Sequence, residues 1–146
     1  MEKGVDTDLY SRQIGAFGME TMGKLIQLEV LIMGMRGLGV EVAKNIILSG
    51  PKSVTIYDEV KASINDLSSN FYISEEDVGK KCRDEACLEK LKELNTYVNV
   101  SLMRIAPNED FFKKILKFNV VVITELYPSN ILNNINYICR TNNIKF

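Results

Sequence analysis

The chain has 146 residues, 46% hydrophobic and 25% charged, with 18 basic against 19 acidic side chains and a net charge of -1. That size and balance fit one globular domain with a sizeable core and ask for neither nucleic acid nor an anionic membrane as partner; no apolar run approaches the roughly 18 residues of a spanning helix. Three cysteines without CxxC spacing and no histidine argue against a disulfide framework and a zinc site, and they exclude Ser-His or Cys-His catalysis within this chain.

The N-terminus, MEKGVDTDLYSRQ, is polar and lacks the apolar core of a signal peptide, so a cytosolic or nuclear setting is expected. Residues 8 to 28 look helical. Val30–Met33 is a continuous apolar run closed by Gly34 and predicts a buried strand. From Gly39 to Ser49 apolar residues recur at helical spacing, and Gly50-Pro51 stops the helix. Ser53–Tyr57 is a second strand, ending at Asp58. Residues 59 to 83 are mixed and polar, a long connection with short helical pieces. Glu85–Leu94 is a helix with Ala86, Leu88, Leu91 and Leu94 inward. Val98–Ile105 alternates as a strand does. Asn108 caps a short helix to Lys117, with acids in its first turn. Val120–Thr124 is a third buried strand of the parallel type. Pro128 to Thr141 is helical, and Ile144–Phe146 begins one more apolar run. Phe111, Phe112 and Phe118 are expected in the core.

This alternation predicts an α/β fold: a Rossmann-like, doubly wound, mostly parallel sheet with helices on both faces. Residues 1–29 form an N-terminal helical segment and residues 30–146 the sheet domain. The chain stops inside or just after a predicted strand, which suggests a fragment of a longer polypeptide, with the domain truncated at its C-terminal end.

VLIMGMRGLGVEVAKN, residues 30 to 45, has the form of a phosphate-cradling turn. In such a turn the first glycine allows the tight bend, the next bares the backbone to phosphate, and a later one lets helix pack on strand. Gly34 is the first glycine, Arg36 stands where the second should be, and Gly37 and Gly39 follow. Asp58 ends the second strand, where an acid would meet a ribose. A phase starting at Gly37 would read as dehydrogenase-like, and glycines that serve packing alone are a third reading. Arg36 is either a solvated loop side chain or a group that fills the place of a phosphate.

Leu9–Gln13 (LYSRQ), Gly34–Gly50, Val54–Asp58, Asn65–Lys80 (NDLSSNFYISEEDVGK) and Glu93–Val100 (ELNTYVNV) occur in order. Together they resemble the N-terminal part of ubiquitin-activating enzymes, the first and inactive adenylation half. The resemblance runs from about Asp8 to Phe146. The small subunit of the SUMO-activating enzyme has a similar glycine turn and is the alternative within this superfamily; an NAD(P)-binding oxidoreductase domain is the alternative outside it.

The resemblance implies a pseudo-dimer of two Rossmann-like halves. One half binds ATP and magnesium and adenylates the C-terminal carboxylate of ubiquitin or a ubiquitin-like protein; the other half supports it. The catalytic cysteine belongs to a separate domain, so Cys82 and Cys87 are expected to be packing residues. Active halves carry G-x-G-G-x-G, and this chain has Arg36 at the third place. Their second strand-end acid is Val60 here, their phosphate-contacting arginine is Ser69, and their following lysine is Cys82 or Arg83. Without those groups, the degenerate site of Gly34, Arg36, Gly37, Gly39 and Asp58 is expected to bind no nucleotide, and no metal. The fragment alone is expected to be inactive and to hold no cofactor, with ATP and Mg in the active half of the parent enzyme, which acts in cytoplasm and nucleus. One family feature is kept: the arginine of Y-S-R-Q, here Arg12, reaches across to the ATP phosphates of the active half. Its expected partners are that active half and a ubiquitin-like protein.

Overall fold

The computed structural model describes residues 6–146; residues 1–5 of the N-terminal segment lie outside the described residues. Helices α1 (Ser11–Phe17) and α2 (Met19–Leu25) lead into strand β1 (Glu29–Met33). Then come α3 (Gly37–Ser49), β2 (Ser53–Tyr57), two 3-10 turns (Ile64–Ser68 and Glu75–Asp77), α4 (Arg83–Glu93) and β3 (Asn99–Leu102). Helix α5 (Glu109–Ile115), β4 (Val120–Ile123) and α6 (Ser129–Thr141) complete it. The four strands form one parallel sheet in the order β3-β2-β1-β4, with Val30 opposite Val54 and Val120. Among the described residues no helix is long and apolar enough to cross a membrane.

Strand residues alternate between the two faces of a sheet, and that period sorts the core into two layers. Val30 and Ile32 of β1 join Val54 and Ile56 of β2, packed under Val40, Ala43 and Ile47 of α3 and Cys87 and Leu91 of α4. Leu31 and Met33 face the other way, toward Phe111 and Ile115 of α5 and Ile135 and Cys139 of α6. Phe111 and Phe118 are buried and Phe112 is packed against the same layer, as expected. Burying such a side chain contributes roughly 1.5–3 kcal/mol, so both layers hold the sheet. The doubly wound arrangement is therefore present.

Local signals place the helix ends. The Asn108 side chain accepts from the backbone N–H groups of Asp110 and Phe111, capping α5 as expected. The N-terminal helical stretch is split, because Gly18 takes a left-handed φ of 82° between α1 and α2.

Two expected strands differ. The run Val98–Ile105 shrinks to Asn99–Leu102, since β2 ends at Tyr57 and the last bond offered is Met103 N–H to the Ile56 carbonyl. The run Ile144–Phe146 makes one parallel bridge, Lys145 to Val120, rather than a strand. Asn143 lies just before it with φ 56°, and Ile144 N–H still bonds the Cys139 carbonyl, so the chain is leaving α6 there.

Candidate functional site

In a parallel sheet, loops at the carboxyl ends of the strands meet. Here they are the glycine turn after β1, Asp58 after β2 and Thr124-Glu125 after β4. Gly34 has φ 101°, and a Cβ there would lie 2.5 Å from the Glu125 Cγ and 2.6 Å from the Thr124 hydroxyl oxygen. Gly39 lets α3 seat on the turn, because its Cβ would overlap the Gly34 carbonyl oxygen. A Cβ at Gly37 would lie 2.8 Å from that of Ser69. Gly34 is thus the turn glycine, while Gly37 already begins α3, which removes the structural basis of the Gly37 phase.

Arg36 is the backbone N-cap of α3, and its side chain is 60% exposed, with Nε 3.3 Å from the Glu125 carboxylate. It is a solvated side chain paired across the turn, the first of its two readings. Glu125 balances the Arg36 charge, so the pair leaves no net cation beside the turn for a phosphate.

Asp58 is buried and engaged by its own chain. Its Oδ2 accepts from Met35 N–H at 2.8 Å and its Oδ1 from Val60 N–H at 3.1 Å. Arg83 enters from the start of α4, buried, with Nη1 3.5 Å from Asp58 Oδ2. Arg83 Nε donates to Asp66 Oδ2 at 3.0 Å, and that oxygen also accepts from the Ser63 N–H and hydroxyl at 2.8 Å. Behind them Asp84, fully buried, accepts from Asp58 N–H at 3.0 Å and from Arg104 Nη1 at 2.6 Å. Asn70 donates to the Met35 carbonyl at 2.7 Å and so ties the 59–83 connection to the turn. Among the described residues no buried side-chain polar atom lacks a partner.

Of the two residues left open for the family lysine, Arg83 reaches the strand-end acid. Cys82 instead sits at the N-cap of α4, and burial with Glu85 and Asp84 nearby pushes its thiol up. Burial pushes Cys87 up to about 11. Neither environment favours a thiolate. Val60 and Ser69 bring no charge to the site.

The carboxylates titrate in opposite senses. Burial pushes Asp66 up, but the Ser63 N–H, Arg83 and the Ser63 hydroxyl outweigh it and hold the group below its usual value. Asp77 is held low by Lys81 and by the Ser74 hydroxyl and N–H. Asp84 is raised by burial, which Arg104 and the Asp58 N–H only partly offset. A depressed carboxylate stabilises the fold above the unfolded value of about 3.9, and that stability is lost as pH falls through the folded value. Asp84 has the opposite sign, since protonation favours its folded state. We therefore expect stability to fall below about pH 4. Asp66→Asn should be less stable at neutral pH and lose less on acidification. Urea midpoints between pH 6 and 2 check this, and parallel slopes in the two proteins would contradict it.

Arg12 lies elsewhere. It is exposed on α1, with no ion pair among the described residues. An open cavity of about 590 Å³ beside it is lined by Asp8, Leu48, Glu93, Asn95 and Tyr97, among others. Leu48 and Asn95 precede β2 and β3, so this cavity sits at the amino ends of the strands, opposite to Gly34 and Asp58. A five-residue strand separates the two ends by roughly 15 Å or more. The structure does not bring Arg12 to the glycine turn of its own chain.

Asp66, Asp84, Arg104, Asn70 and Glu125 were not legible as parts of this cluster. Ser63-x-x-Asp66 was the available signal, a capping-box pattern whose acid here also holds Arg83.

A family model described as the ThiF family matches residues 10–144. The chain belongs to the ThiF family. Among curated ThiF-like relatives it is 43% identical to Ubiquitin-like modifier-activating enzyme 1 of Dictyostelium discoideum, over 99% of this chain and 14% of that protein. It is 49% identical to Ubiquitin-like modifier-activating enzyme 1 of Homo sapiens, over 84% of this chain and 11% of that protein. The chain thus spans 14% or less of the length of these relatives. Among solved structures it superposes on E. coli tRNA N6-threonylcarbamoyladenosine dehydratase, TcdA, in complex with ATP. The TM-score is 0.82 at 14% identity, over 98% of this chain and 60% of that one, a likeness of fold alone. E. coli MccB with succinimide gives a TM-score of 0.77 at 25% identity, over 92% of this chain and 42% of that one.

Proposed function

We propose that this chain is the non-catalytic half of the pseudo-dimeric adenylation module of a ubiquitin-activating enzyme. The active half binds ATP and magnesium and adenylates the C-terminus of ubiquitin or a ubiquitin-like protein, in the cytoplasm and nucleus. This chain packs on that half and supplies Arg12 to the ATP phosphates. The observation that carries the reading is the state of the strand-end site: Asp58 is held by Met35, Val60 and Arg83, and Glu125 stands beside the turn. These residues do not fit a nucleotide. Asp58 is only 4% exposed and already holds three groups of its own chain, which leaves a ribose hydroxyl little access, and the paired Arg36 and Glu125 offer a phosphate no net positive charge. Supporting the second part, Arg12 is exposed near the amino ends of the strands, away from the glycine turn of its own chain, where a cationic fork is accessible to another subunit or domain.

Thermal unfolding of the chain with millimolar ATP and magnesium, or with NAD, tests the closed site. A ligand at 100 times its Kd would stabilise by about 2.7 kcal/mol, a shift of several degrees. We expect no shift with either. Clear stabilisation by ATP would restore a working site, and by NAD a dehydrogenase-type one.

A further inference from the structure

Helix α1, which carries Arg12, has only seven residues and buries none of them. An isolated helix of that length is marginal, so something outside it must fix its position. The residue just before it does so. Tyr10 is the N-cap, its carbonyl accepting from Ile14 N–H at 2.8 Å, and it is buried. Its hydroxyl accepts from Asn95 Nδ2 at 2.9 Å, and Asn95, itself buried, also donates to the Ile47 carbonyl at 3.1 Å. Gly50 makes the room: it ends α3 at φ 87°, and a Cβ there would overlap the Tyr10 hydroxyl and ring. Asn95 Oδ1 accepts from Tyr97 N–H at 3.1 Å, and the Tyr97 hydroxyl donates to Asp6 at 3.1 Å. Asp6 in turn accepts from Leu9 N–H at 3.0 Å. Three separated stretches, LYSRQ, the end of α3 and ELNTY, therefore meet at one buried hydroxyl two residues from Arg12.

We propose that Tyr10, held by Asn95 in the space that Gly50 leaves open, is the positioning residue that sets where Arg12 is presented. This rests on the reading of Arg12 as a group acting on the ATP of the active half. An arginine delivered from a short helix with no core contact loses much conformational freedom on meeting a phosphate, and an anchor made in advance reduces that loss. Misplacement by about 1 Å costs a reaction up to roughly 10²-fold. Tyr10→Phe keeps the ring in its slot and leaves Asn95 its bond to Ile47, so it removes the anchor without emptying the core.

The test uses the complete enzyme with four forms: the parent, Tyr10→Phe, Arg12→Ala and the double variant. The readout is ATP–pyrophosphate exchange. We expect Tyr10→Phe to lower kcat roughly tenfold and to add nothing in the Arg12→Ala background. An unchanged rate in Tyr10→Phe, or the same fold-loss in both backgrounds, would overturn the positioning role while leaving the Arg12 reading intact. An unchanged rate in Arg12→Ala would overturn the reading and the proposal with it. Amide hydrogen exchange on the 146-residue chain reads the anchor without activity. Ser11–Phe17 should lose protection in Tyr10→Phe while β1 and β2 keep theirs, and unchanged protection of Ser11–Phe17 would also overturn the proposal.

Discussion

Arg83→Met is expected to lower the stability of the fold by about 3 kcal/mol, the range measured when one partner of a buried ion cluster is removed. The Arg83 side chain is 5% exposed and lies between Asp58 and Asp66. Without it Asp66 keeps the Ser63 N–H and hydroxyl, and Asp58 keeps Met35 and Val60. Both carboxylates then remain buried with only neutral donors. That retained bonding puts the cost at the lower end of the range, and an apolar side chain of similar length adds little strain. Urea unfolding measures it directly. In the double variant Asp66→Asn with Arg83→Met, the combined loss should fall short of the sum of the single losses by about 1 kcal/mol or more. A loss under about 1 kcal/mol for Arg83→Met, or strict additivity, would mean that the cluster does not hold the site closed.

Arg12→Ala should act on rate rather than stability. In the complete enzyme we expect ATP–pyrophosphate exchange to slow by about 10²-fold or more, the loss typical of removing one donor that stabilises developing charge. Because Arg12 is exposed on α1, the unfolding free energy of the chain should change by no more than about 0.5 kcal/mol. Arg12→Lys should recover part of the rate, since lysine keeps the charge and loses the planar fork. Exchange at the parent rate in Arg12→Ala would remove the assignment.

Most of the sheet could be read from residue order, because Val30–Met33, Ser53–Tyr57 and Val120–Thr124 are short apolar runs bounded by turn residues. A run alone does not name its partner, which is why Val98–Ile105 reads about three residues too long at its end and Ile144–Phe146 reads as a strand. That Arg36, Val60 and Ser69 stand where the resemblance implies a glycine, a ribose-binding acid and a phosphate-binding arginine was legible position by position. What replaced them was not. Asp58, Asp66, Arg83, Asp84 and Arg104 are drawn from four segments, and only the crossover that brings α4 against the end of β2 puts them in contact. Glu125 was hidden for the same reason, since its nearness to Gly34 depends on β4 pairing with β1. The distance of Arg12 from the glycine turn likewise follows from topology and from no local pattern.

The central claim is that this chain completes another half's site and has none of its own. Pyrophosphate exchange with the active half alone, and again after adding this chain, tests it most directly. The expected result is little exchange from either protein alone and a gain of about 10²-fold or more on mixing, abolished when the added chain carries Arg12→Ala. Full exchange by the active half alone, or a gain that Arg12→Ala leaves unchanged, would contradict it.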